Sequence, residues 1–433
     1  MSDAGTQRKA LGLVATTALV VGNMIGSGMF LLPATLAPYG AASVLGWLLS
    51  GCGALALAWV FATLASRAAR PGGPHAYARA RFGDEAGFGV AWCYWISTCC
   101  GNAAIAVAFA GSIAALVPSL AAPGRAALLA IAALWLCTGF NLAGVRSAGI
   151  VQTLLTGLKL LPLLVVLVLG IAHIDGANLV PFDRSGEPLL DVATATAALT
   201  LWALLGLESA TVPAGHVRDA QRTIPRATLL GTAVAALVTA LACTLVIALL
   251  PAGELAASTA PFALAAGRLW GDGAGVVLAL AAGVACFGTL NGWVLVCGEV
   301  GGAAARDGVF PRAMGRSDAR GTAWVSLLLG SIVSTVLIAS SAQASVANIF
   351  RAAILVSTAS CLVPYLVCAI AVLVPRRGEP TGIATRVVAA VGLVFSVWAF
   401  IGTGAQAMRW CAGLVLAGIP AYALVRHARK RNG

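Results

Sequence analysis

Val21-Gly22-Asn23-Met24-Ile25-Gly26-Ser27-Gly28 lies in the middle of an apolar run that extends from Leu11 to Ala37. Glycine is among the poorest helix formers, so a helix crossing this run is expected to part at Gly26-Ser27-Gly28. A second run, Ala193 to Val212, is interrupted at Leu205-Gly206-Leu207-Glu208, where a carboxylate stands in otherwise hydrophobic sequence. Unwound backbone at bilayer depth is tolerated only where it lines a cavity or is buried in protein. Paired interruptions at matching places in two halves of a chain therefore point to a secondary transporter.

Composition fixes the solvent. Hydrophobic residues make up 60% of the 433 and charged residues 10%, and the mean hydropathy is +0.94. A water-soluble domain carries about 25% charged residues. Spans of about twenty apolar residues cross a bilayer, and the chain reads as twelve of them, from 11–37 to 405–424.

Lys and Arg collect in cytoplasmic loops. With twelve spans, most of the 27 basic residues fall on one side: Arg8 and Lys9, the group Arg67 to Arg81, Arg218 to Arg226, Arg306 to Arg320, Arg376 to Arg386, and Arg426 to Arg431. Both termini are therefore expected in the cytoplasm. The net charge of +12 is spread over short loops with few aromatics. It reads as topology plus attraction to anionic lipid, not as nucleic-acid binding. The eleven cysteines lie in apolar spans without metal-ligand spacing and read as small core residues.

The chain is expected to be one all-α integral membrane domain, 1–433. Residues 11–173 and 193–375 form two five-helix halves, and 382–426 add two helices. An odd number of spans per half inverts the second half relative to the first, with the binding site between them. The segment Arg67 to Glu85 suggests a turn and short helix on the cytoplasmic face, and the acidic stretch His173 to Asp191 suggests the exterior.

After the first break, the N–H groups of Ser27 and Gly28 would point from a half-helix N-terminus and favour an anion such as a carboxylate. Before it, the carbonyl of Asn23 and its neighbours would be free, as would those of Trp202 and Leu205 at the second break, and these would attract an ammonium. Glu208 is a functional residue by default, as proton carrier, partner of a cationic substrate, or latch. Trp202 and Trp293 offer indole faces to a cation or an alkyl chain. Asn102 and Ser357 suit substrate or helix packing. Lys159 within the fifth span could titrate, replace a bound sodium ion, or snorkel to the surface. His75 could sense pH or be a solvated loop histidine. No nucleophile, metal or nucleotide motif stands out, so no enzyme activity and no cofactor are expected.

Together with Pro33, the loop Pro71-Gly72-Gly73 with Tyr77, Leu201-Trp202 through Gly206 and Glu208-Ser209, and Arg306-Asp307-Gly308 with Pro311, the first break resembles the amino acid-polyamine-organocation superfamily. The similarity runs over nearly the whole chain and is strongest to the bacterial basic amino acid/polyamine antiporters, arginine/agmatine exchange in particular. The resemblance implies an inverted five-plus-five bundle with two added helices, usually a homodimer. It implies a substrate carboxylate at Ser27 and Gly28 and an ammonium at the carbonyls of Asn23, Trp202 and Leu205. A guanidinium would lie on Trp202 near Asn102, Ser97 and Ser357, with Trp293 over the aliphatic part and Ile25 and Ile105 completing the wall. Tyr94, Glu208 and Tyr365 match a cytoplasmic gate, to which Trp202 and Trp293 also contribute. Ile105, Ala203, Cys99 and Lys159 depart from the arginine/agmatine pattern, and a fifth-span lysine is more typical of proton-coupled or neutral amino acid carriers. The reading is exchange of a cationic amino acid for its decarboxylated amine or another amino acid, with proton-coupled uptake of neutral or broad-range amino acids as the alternative.

Overall fold

The first apolar run is two helices. In the computed structural model α1 (Leu13–Met24) ends where Ile25 turns to extended backbone, and α2 (Ser27–Leu36) restarts after Gly26. The description covers residues 11–431 apart from 69, 71, 144, 213, 319–320, 341–345 and 376–380. Pro71 of the glycine loop and Arg8, Lys9, Arg320, Arg376 and Arg377 of the basic set lie outside the described residues.

The remaining helices follow in order: α3 (Ser43–Arg67), α4 (Pro74–Phe82), α5 (Asp84–Leu116), α6 (Pro123–Leu142), α7 (Val145–Gly170), α8 (Leu189–Trp202), α9 (Ala220–Leu249), α10 (Ala252–Ala257), α11 (Pro261–Trp270), α12 (Asp272–Arg306), α13 (Trp324–Ser340), α14 (Val346–Leu373), α15 (Ile383–Gly402) and α16 (Gly404–Arg431). Among the described residues there is no β-strand, only one bridge between Leu11 and Val217. Among the described residues nine helical stretches are long and apolar enough to cross a membrane. The first, Leu13–Arg67, takes in α1 to α3, and two further apolar helices, α8 and α13, are shorter. The turn and short helix expected between Arg67 and Glu85 are there as Gly72, Gly73 and α4.

Two groups of helices meet around the breaks. In one, α3 packs on α8 and α9, and α9 on α1; in the other, α5 packs on α6, α12 and α13, and α12 on α6 and α13. Helix α7 touches both α1 and α12, and α14 lies along α5. Lipid gives no hydrophobic drive between helices, so close approach and interhelical hydrogen bonds hold them. A Cβ on Gly231 of α9 would stand 2.6 Å from the Val20 side chain of α1. In the second group Thr138 and Ser331 share a 2.7 Å bond, Ser334 donates to the Cys99 carbonyl at 2.8 Å, and Asn141 donates to Asn291 Oδ1 at 2.9 Å. Such bonds average about 0.6 kcal/mol each, so their number matters more than any one.

Candidate functional site

The first break leaves carbonyls without helical partners, and each would cost several kcal/mol in hydrocarbon. They were expected to be free, and they are not. The ammonium of Lys159, on α7, donates to the Gly22 carbonyl and lies 3.1 Å from Thr289 Oγ1. Thr289, on α12, is 3.4 Å from the carbonyls of both Gly22 and Ile25. The indole N–H of Trp293 donates to the Asn23 carbonyl at 3.1 Å. Lys159 is 1% exposed, so it does not snorkel, and its amine closes the break. Gly26 is required by proximity: a Cβ there would be 2.4 Å from Thr289 Cγ2.

The second break runs over 203–208, from the end of α8 to a short 3-10 turn at Ser209–Thr211. Gly206 has φ +104°, a left-handed conformation that disfavours any side chain, and a Cβ there would be 3.0 Å from the Trp293 ring. Its carbonyls are also partly engaged, since that of Trp202 accepts from the Leu205 N–H at 3.2 Å. Glu208 is fully buried. It accepts from the Tyr94 hydroxyl of α5 at 2.6 Å through one oxygen and from the Tyr365 hydroxyl of α14 through the other. One carboxylate thus ties three segments together.

Between the breaks lies a cavity lined by Asn23, Met24 and Gly26 of the first break, Trp202, Ala203 and Leu205 of the second, Ser97, Thr98, Gly101 and Ile105 of α5, Thr289 and Trp293 of α12, and Ser357 of α14. No lining residue is acidic. Ser97 and Ser357 meet across the wall: each hydroxyl donates to the other's carbonyl, at 2.8 and 2.7 Å. In this state they clasp α5 to α14.

Most of the expected wall is therefore assembled, with exceptions. Ile25 and Asn102 are buried away from the lining, and Asn102 Oδ1 has no partner among the described residues. Ser27 begins α2, with Gly28 next in its first turn, but the Ser27 side chain is not among those described. Sequence reasoning missed Thr98, Gly101 and Thr289. The last lies four residues before Trp293 on the same helix face, a spacing that could have found it.

His75 is not a solvated loop residue. It sits in the first turn of α4, fully buried, with Nε2 3.2 Å from Asp307 Oδ2 at the end of α12. Asp307 also faces Arg79 at 3.5 Å, and Arg79 pairs with Asp84 at 2.7 Å. The hydrogen bond from His75, aided by the nearby arginines, holds the Asp307 carboxyl below its ordinary value. The turn before α4 also meets the chain just after the second break, where the Gly72 N–H donates to the Val212 carbonyl at 3.2 Å.

A polytopic helical bundle with a polar cavity where two helices part is a multi-pass membrane transporter. The chain belongs to the amino acid permease family of the amino acid-polyamine-organocation superfamily; the family pattern described as "Amino acid permease" matches residues 11–420. It is 34% identical to the cadaverine/lysine antiporter of Escherichia coli (strain K12) over 330 residues, 76% of this chain and 74% of that one. It is 30% identical to the putrescine transporter PotE of Haemophilus influenzae over 422 residues, 96% and 97% of the two chains. To the PotE of Escherichia coli (strain K12) it is 29% identical over 435 residues, 98% of each.

Proposed function

We propose that the protein exchanges a cationic, arginine-like amino acid for its decarboxylated amine, or for another amino acid, across the bacterial inner membrane by alternating access. The observation that carries this is the cavity itself. Its lining holds two indoles and several polar residues and, among the described residues, no carboxylate, and three residues beyond Leu205 the Glu208 carboxylate bonds Tyr94 and Tyr365. A cation meets the Trp202 face, the oxygens of Ser97 and Ser357 once their clasp opens, and the Leu205 carbonyl. The carboxylate of an amino acid goes to the N–H groups that begin α2. An amine lacking that carboxylate still fills the cationic half, so both members of the exchange pair share one site. The relatives named for cadaverine/lysine and for putrescine support this pairing of amino acid and amine.

The reading takes α1 with α2 as one crossing and counts α8 and α13, for twelve crossings, two inverted halves and termini in the cytoplasm. Tyr94, Glu208 and Tyr365 then form the cytoplasmic latch. Decarboxylation consumes a proton, so the exchange removes acid equivalents from the cell.

A second reading, proton-coupled uptake, is favoured by one observation: a single buried ammonium, Lys159, bridges α7, α1 and α12 at the first break. Loss of its proton would loosen that junction. Proteoliposomes decide between the two. Uptake of labelled arginine or lysine that requires internal agmatine, cadaverine or putrescine supports exchange and ranks the pair; uptake into empty vesicles driven by an imposed proton gradient supports the second reading.

A further inference from the structure

Three hydroxyls just beyond the latch are buried without a hydrogen-bond partner among the described residues: Ser209, Thr228 and Thr232. Ser209 follows Glu208 directly. Thr228 and Thr232 stand one turn apart on α9 and share a face. That face also carries Gly231, whose missing Cβ would be 2.6 Å from Val20 of α1. Helix α1 contacts both α9 and the 209–211 turn, and α9 contacts that turn. The three residues therefore stand on elements that meet in one seam. Along the chain the order is Trp202 and Leu205 at the cavity, Glu208 at the latch, Ser209 at the seam, and Arg218 at the basic face.

Other threonines on these helices behave differently. Thr239 of α9 donates to the Ala235 carbonyl at 2.6 Å, and Thr16 of α1 to the Gly12 carbonyl at 2.8 Å. Thr228 and Thr232 make no such bond and are buried all the same. A buried hydroxyl with an unmade bond raises the energy of the packed state relative to any state in which it reaches water. Three on a single seam bias that seam toward parting.

We propose that Ser209, Thr228 and Thr232 line the substrate's exit toward the basic face, and that their unmet hydrogen bonds lower the cost of separating α1 from α9. The proposal needs a state open to that face, which alternating access supplies, but it does not depend on the identity of the substrate.

The test is thiol accessibility in a Cys52→Ala background, since Cys52 is the exposed cysteine among the eleven. With the latch released by Glu208→Gln, a membrane-impermeant maleimide should label Thr232→Cys on the order of tenfold faster than with the latch intact, the scale of one buried hydrogen bond. Thr239→Cys should not respond. Equal labelling of Thr232→Cys with and without the latch would overturn the proposal. In the Glu208→Gln background, adding Thr228→Val and Thr232→Val should slow labelling of Ser209→Cys by about tenfold or more, whereas the paired Ser substitutions should leave it unchanged. Unslowed labelling in the Val pair would remove the energetic part. Because labelling needs no substrate, these results stand whichever exchange or uptake assay succeeds.

Discussion

The two breaks start from the same device, a glycine at the point where a helix parts, and are finished in opposite ways. At the first, the carbonyls of Gly22, Asn23 and Ile25 are met by Lys159, Trp293 and Thr289, donors fixed on two other helices. At the second, the chain turns back on itself and is held to α5 and α14 through one carboxylate. Loss of one donor at the first break leaves the others in place. Release of Glu208 frees α5 and α14 together. In the proposed mechanism the first break is a pillar and the second a latch.

Removing the pillar's charged donor should have the largest effect. Lys159→Met leaves the Gly22 carbonyl buried without its cation, a loss of about 2–3 kcal/mol or roughly a hundredfold in rate. Transport by reconstituted protein should fall accordingly, and Lys159→Arg should not rescue it, since a rigid fork cannot replace a point charge in so small a space. A Lys159→Met variant with normal rate would mean that the first break needs no clamp. Trp293→Phe keeps a ring over the cavity but removes the donor to Asn23. Substrate binding should weaken about five- to tenfold, the worth of roughly 1 kcal/mol, measured by equilibrium binding in detergent. An unchanged affinity would assign Trp293 to packing alone.

The smallest effect belongs to the prop beneath the latch. Asp307 has a lowered pKa in the fold, so its contribution to stability is complete above the ordinary carboxylate value of about 4 and is lost as pH falls through the lowered one. Wild type and Asp307→Asn should therefore differ in thermal midpoint by a constant amount at neutral pH and converge in acid. A gap that widens toward low pH would contradict the sign.

Both breaks were legible because they are local. A glycine-serine-glycine run and a carboxylate two residues after a glycine disturb an apolar pattern within a few positions. What closes the breaks was not legible. Lys159 reaches Gly22 from 137 residues away and Trp293 reaches Asn23 from 270, and no periodicity couples such distances. The carbonyls thus looked free when they were already matched. His75 looked solvated because it follows Pro-Gly-Gly-Pro among arginines, yet the left-handed turn at Gly72 and Gly73 folds it under α12 against Asp307. Ser97 and Ser357 could be placed on the wall by resemblance. Their clasp on each other depends on two helices meeting in register, which one sequence does not display.

The central claim is that backbone and indole surfaces at the breaks hold the substrate while Glu208 holds the door. Equilibrium binding of labelled arginine and lysine to purified wild type, Trp202→Ala and Glu208→Gln tests it directly. The account predicts that Trp202→Ala loses about 2 kcal/mol, roughly thirtyfold in affinity, and that Glu208→Gln binds within about twofold of wild type because a latch residue touches no ligand. Loss of binding in Glu208→Gln with normal binding in Trp202→Ala would contradict it, making the buried carboxylate the cation's partner.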